Sequence, residues 1–103
     1  MCGICGIANL ERASRVSEET LVSMRNILSH RGPDGHGMSV QGHVGLGHTR
    51  LSIIDLAAGA QPMHNEDSRV WIVFNGEIYN YVELRNELAG RGHTLATESD
   101  TEV

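Results

Sequence analysis

The chain of 103 residues carries 8 basic and 13 acidic side chains, a formal charge of -5 with histidine neutral, and every basic residue is arginine. Without lysine it has neither the amine of a phosphate-cradling P-loop nor that of a Schiff base, and an acidic balance with 4% aromatics gives a nucleic-acid surface little to work with. The longest apolar run, Val70 to Phe74, falls far short of the roughly 20 residues that cross a bilayer, so the expectation is a soluble, cytoplasmic chain with one modest core and neither a membrane nor a nucleic-acid partner.

In chain order, Gly3 to Asn9 is short, apolar and bounded by turn formers, which predicts a buried strand. Ser17 is a good helix N-cap, Glu18 and Glu19 suit the positive end of a helix, and Leu21, Met24, Ile27 and Leu28 recur at helical spacing until Gly32-Pro33. Glycines crowd the next stretch, where His36 to Val40 and His43 to His48 read as a hairpin around Gln41-Gly42. Thr49 to Leu56 continues as strand or extended loop, Ala57 to Asp67 reads as loop, and Val70 to Phe74 is the clearest strand signal, ending at Asn75-Gly76. Asn80 with Glu83 spells a capping box for a second helix, with Tyr81, Leu84 and Leu88 on one face and its end at Gly90 or Gly92. Thr94 to Thr97 suggests one more short strand, and Ser99-Asp100-Thr101-Glu102 a helix start whose body is missing, as in a truncated chain.

Two cysteines, Cys2 and Cys5, cannot build a disulfide framework, although they spell C-x-x-C. Residues three apart on a strand point to opposite faces, and the six histidines offer no paired zinc spacing, so redox or metal use is disfavoured. Cys2 is different in kind. Once Met1 is removed, a thiol and a free α-amine share one carbon, and an amine titrating at about 7.7 to 8.0 can serve as the base for the thiol. The alternative is a small residue buried in an apolar strand.

Six ordered blocks carry a family resemblance: Cys2-Gly3-Ile4, His30 to Gly35 (HRGPDG), His48 to Leu56 (HTRLSIIDL), Gly59 to Met63 (GAQPM), Phe74 to Asn80 (FNGEIYN) and Glu98 to Val103 (ESDTEV). Together they resemble the N-terminal glutaminase domain, of class II glutamine amidotransferase type, of a glutamine-hydrolysing asparagine synthetase. The resemblance implies an α+β fold of the N-terminal-nucleophile hydrolase type, two antiparallel β-sheets between helical layers (αββα). Residues 1–103 would form the incomplete first half of this type 2 amidotransferase domain, with its remainder and a synthetase domain absent.

It further implies that Cys2 attacks the side-chain amide of L-glutamine and releases ammonia for the ATP-dependent conversion of aspartate to asparagine. Asn75 and Gly76 become the catalytic oxyanion donors, a side-chain amide beside an approachable backbone N–H. Arg50, Leu51, Ile53, Ile54, Glu77 and Asp100 become the substrate-binding set, with Arg50 on the carboxylate of glutamine and Asp100, assisted by Glu77, on its ammonium. Taken singly, Asn75-Gly76 is also an ordinary hairpin turn, and Arg50 and Asp100 are also ordinary surface charges. Arg31 and Asp34 read as structural residues of a Gly-Pro turn. No cofactor is expected within these residues, ATP and Mg2+ being implied for the synthetase domain, and a homodimer of the longer enzyme is left open. Two alternatives stand beside this reading. One is an amidotransferase with another acceptor, and the other a non-catalytic glutamine-binding or association module.

Overall fold

The computed structural model describes residues 1–51 and 59–103. Its main sheet is antiparallel, with β1 (Gly3–Ala8), β2 (Gly35–Gln41) and β3 (Val44–Arg50) in the order β1-β3-β2. β2 and β3 form the expected hairpin. Gln41 stands opposite Val44, which makes Gly42-His43 the two-residue turn, one position later than the sequence reading, and Gly42 takes the φ of +59° that such a turn needs. β1 pairs with β3 from Gly3 opposite Thr49 to Ala8 opposite Val44.

Helix α1 (Glu18–Ile27) covers one face of this sheet. The Ser17 side chain accepts the Thr20 N–H at 3.2 Å, and Glu18 and Glu19 occupy the first turn, as their preference for a helix start predicts. Leu21, fully buried, and Val16, 2% exposed, form the core between helix and sheet. They approach so closely because β3 offers glycine there: a Cβ on Gly45 would lie 2.9 Å from Val16 Cγ1 and 3.0 Å from Leu21 Cδ2.

The opposite face of the sheet receives the segment around Gln61, whose main-chain oxygen sits 1.9 Å from where a Cβ on Gly37 would be. Beyond it, β4 (Met63–His64) and β5 (Trp71–Ile72) pair antiparallel, and α2 (Tyr81–Gly90) and a short 3-10 helix (Asp100–Glu102) follow. Antiparallel sheets with two helices make the class α+β. Among the described residues, no helix is long and apolar enough to cross a membrane.

Several expectations are corrected. The run Val70 to Phe74 yields a strand of only two residues, because among the described residues its ladder partner is the equally short Met63–His64, itself inside the segment expected to be loop. Asn80 does occupy the N-cap of α2, yet its side chain makes no capping bond, so the capping box is not formed. Thr94 to Thr97 is not a strand. Its backbone donors go to carboxylates instead, Thr94 N–H to Glu66 at 3.0 Å and Ala96 and Thr97 N–H to Glu102 at 2.6 and 2.7 Å, which satisfies them without a neighbouring strand.

Candidate functional site

Cys2 leads into β1 on the face away from α1, whereas Cys5 points at the helix side, its Sγ 2.7 Å from a Cβ built on Gly47. Both thiols are free, and their opposite directions remove the C-x-x-C pair as a local site. Burial pushes the Cys5 thiol up in pKa, outweighing the charge of nearby Arg25 and a bond from Gly47. The Cys2 thiol instead meets the residue that follows β3. Leu51 N–H donates to Cys2 Sγ at 3.4 Å, and the Leu51 carbonyl lies 4.0 Å from the sulfur.

The turn between α1 and β2 ties down the backbone around this thiol. Arg31 Nε donates to the Cys2 carbonyl at 3.2 Å, and Asp34 N–H donates to the Arg50 carbonyl at 2.9 Å. Arg31 thus fixes the start of β1, while the Asp34 main chain fixes the end of β3.

Arg50 lines a cleft of about 200 Å³ together with Asp34, His36, His48 and Gln61. Its guanidinium extends past Gly59: a Cβ on that glycine would lie 3.9 Å from Arg50 Nη2 and 3.3 Å from Ser99 Oγ. Gly59 therefore separates the guanidinium from the turn that carries Asp100. A second, wider cleft of about 520 Å³ is lined by Gly76, Glu77, Ile78, Ser99 and Asp100, which brings three of the sequence-selected residues together. Asp100 Oδ2 accepts the Ile78 N–H at 2.8 Å, so this carboxylate also holds the segment that follows Gly76 and Glu77.

The Asp100 turn is itself built by side chains. Ser99 caps it, accepting the Thr101 N–H at 3.2 Å, and Glu102 gathers the Thr97 hydroxyl at 2.6 Å in addition to the two backbone N–H groups. Desolvation acts to raise the Glu102 pKa, but these bonds from Thr97 and Ala96, with the charge of Arg85, outweigh it and the pKa is lowered.

Asn75 is half-buried. The ring of Phe74 folds over Gly76, where a Cβ would lie 2.7 Å from Phe74 Cζ. Among the described residues, no hydrogen bond joins Cys2 to Asn75. Ile53 and Ile54 lie outside the described residues.

Two residues with no role in the sequence reading stand out. His48 is 2% exposed, and its Nε2 has no well-formed hydrogen bond. Burial, then the Arg50 charge, depress its pKa, with the Phe74 backbone pulling the other way. Its sequence cues were its place at the head of the HTRLSIIDL block and between Leu46 and Arg50 on one face of β3. Gln61 is the other, a polar residue before a proline that reads as loop. Among the described residues there is no group of three or more His, Cys, Asp or Glu side chains able to hold a metal ion.

Comparison with known proteins adds independent information. A family model described as a glutamine amidotransferase domain matches residues 1–103. The chain is 50% identical to asparagine synthetase (glutamine-hydrolyzing) 1 of Bacillus subtilis, covering 100% of this chain and 17% of that protein. It is 46% identical to a probable asparagine synthetase (glutamine-hydrolyzing) of Dictyostelium discoideum, covering 99% of this chain and 18% of the relative. With an asparagine synthetase (glutamine-hydrolyzing) of Sandersonia aurantiaca the identity is 44%, over 100% of this chain and 19% of the relative. The chain thus spans between 17% and 19% of the length of these relatives.

Proposed function

Because the chain belongs to the glutamine amidotransferase domain family, we propose that it is the glutaminase part of an asparagine synthetase, hydrolysing L-glutamine with Cys2 and passing ammonia to a synthetase domain elsewhere in the protein. Its α+β sheets and helices then form part of an N-terminal-nucleophile hydrolase fold, and the compartment is the cytoplasm, where free thiols are ordinary.

The chemistry follows from the residues. With Met1 removed, the Cys2 α-amine takes the thiol proton, directly or through a water, and the sulfur attacks the side-chain carbonyl of glutamine. The oxyanion is received by the Asn75 amide and the Gly76 N–H. Collapse forms a γ-glutamyl thioester, with the proton leaving on ammonia, and water then releases glutamate and restores the thiol. Arg50 pairs with the α-carboxylate, while Asp100 and Glu77 take the α-ammonium. Leu51, Ile53 and Ile54 complete the substrate set.

The observation that carries this reading is the charge arrangement about Gly59, with the Arg50 guanidinium on one side and the Ser99-Asp100 turn on the other. An amino acid with opposite charges on one carbon fits such a frame. ATP and Mg2+, which the asparagine synthetase reading implies, are proposed to be held outside these residues. Nucleotide chemistry is therefore assigned to the proposed synthetase domain, together with aspartate as acceptor.

The test is an intact mass before and after treatment with an electrophilic glutamine analogue. A chain lacking Met1 that gains one adduct mapped to Cys2 supports the proposal. An adduct on Cys5, or capture undiminished in a chain that keeps Met1, overturns it.

A further inference from the structure

Gln61 joins three segments through one residue. Its main-chain oxygen packs against β2 at Gly37, where no Cβ intervenes. Its side-chain Oε1 accepts the Phe74 N–H at 2.6 Å, and its Nε2 donates to Thr101 Oγ1 at 3.4 Å. Thr101, 8% exposed, follows Asp100, and Phe74 precedes Asn75.

Among the described residues, strand pairing does not hold Phe74. The β4 and β5 ladder ends at Ile72, two residues earlier, so the Phe74 N–H needs another acceptor if it is to be kept from water without penalty. Gln61 supplies that acceptor. The Phe74 ring in turn lies against Gly76, so a shift of Phe74 displaces the glycine whose N–H is proposed to receive the oxyanion.

Oxyanion donors stabilise a transition state only when they are held where the charge develops, before the charge arrives. We infer that Gln61 is a positioning residue for glutamine hydrolysis, fixing the Asn75-Gly76 pair through Phe74 while its weaker bond to Thr101 keeps that pair in register with Asp100. This inference rests on the proposed glutaminase reading. Gln61 touches no reacting atom. Its effect is therefore expected in the rate of the chemical step, with little change in substrate affinity.

The experiment compares Gln61→Met and Gln61→Glu with the parent in the full-length synthetase, reading glutamine hydrolysis and amide hydrogen exchange of residues 74–77. Met keeps the length of the side chain and removes both bonds. It should lower kcat about 10 to 100-fold, the scale set by misplacing a reacting group by about 1 Å, with KM within about 3-fold. Exchange at 74–77 should accelerate, while synthesis from free ammonia is unchanged. Glu keeps the acceptor oxygen and lets the Thr101 hydroxyl donate, so it should restore slow exchange and most of kcat. Its added charge beside Arg50 should raise KM.

Unchanged exchange in Gln61→Met overturns the inference whatever the activity. Faster exchange with an unchanged kcat overturns it as well. A parent protein that hydrolyses no glutamine sinks the functional reading instead, and exchange still reports whether Gln61 holds the segment.

Discussion

Leu51 N–H points at Cys2 Sγ, 3.4 Å away, so the proposed nucleophile is held by the first residue after β3, next to the arginine proposed to bind the substrate carboxylate. Forty-nine positions of sequence close into one contact because β1 and β3 pair in register, Gly3 opposite Thr49. Replacing Cys2 by Ala in the proposed full-length synthetase should abolish glutamine-dependent ammonia release and spare synthesis from free ammonia. Persisting glutaminase activity would refute the nucleophile assignment.

Asn75→Ala tests the oxyanion assignment directly. Loss of one preorganised donor lowers kcat about 100 to 1,000-fold, and KM for glutamine should move little because the oxyanion exists only in the transition state. Steady-state hydrolysis decides the matter. A decrease of only a few fold would make Asn75 a turn residue.

His48 predicts a pH dependence. Burial and Arg50 hold its folded pKa below 6.5, against a small opposing effect of the Phe74 backbone, so the folded state favours neutral imidazole. The unfolded chain therefore binds more protons in the window below about pH 6.5. The resulting stability is present above that pH and is lost as pH falls toward the depressed value. His36 and Asp34 line the same cleft, so the comparison must be made within one background. Denaturant unfolding between pH 7.5 and 5 should show a smaller loss of stability in His48→Gln than in the parent. Equal slopes in the two proteins would show that this imidazole carries no linkage.

The parts of the fold that follow from local rules were legible in the sequence. Ser17 caps α1 by its own hydroxyl, Gly42 permits the hairpin turn, and alternation sends Cys2 and Cys5 to opposite faces. Features set by a partner were not. Nothing in Val70 to Phe74 says that its ladder stops at Ile72, since strand length depends on what lies alongside. Thr94 to Thr97 looked like a strand for the same reason, yet Glu66 and Glu102 took its donors from 28 and 5 to 6 residues away. In the candidate site, Arg50, Gly76, Glu77 and Asp100 were named from their motif blocks, and Gly76, Glu77 and Asp100 line one cleft while Arg50 lines another. Gln61 and His48 lie in such blocks too but received no role, because each meets the Phe74 backbone, a distant neighbour that pattern alone cannot assign.

Glu102 connects stability to the proposed ammonium site. Its carboxylate accepts three bonds from Ala96 and Thr97, and Arg85 donates to the Thr97 carbonyl at 2.5 Å, so the loop leading to Asp100 is fastened from both sides. Desolvation opposes ionisation here, but the three bonds and the Arg85 charge outweigh it, leaving a folded pKa below the ordinary carboxylate value of 4.5. A depressed carboxylate contributes stability that is present above about pH 4.5 and lost as pH falls through the folded value. Glu102→Gln keeps the shape but weakens bonds made to a charged acceptor, and should cost about 1 kcal/mol at neutral pH. The difference from the parent should shrink as pH falls through the depressed folded value and the parent carboxyl itself becomes protonated. With the loop loosened, Asp100 is held less firmly against Ile78, so KM for glutamine should rise several-fold while kcat at saturation changes less. A stability difference independent of pH would show that the Glu102 charge does not fasten the loop, and an unchanged KM would separate the loop from the proposed ammonium site.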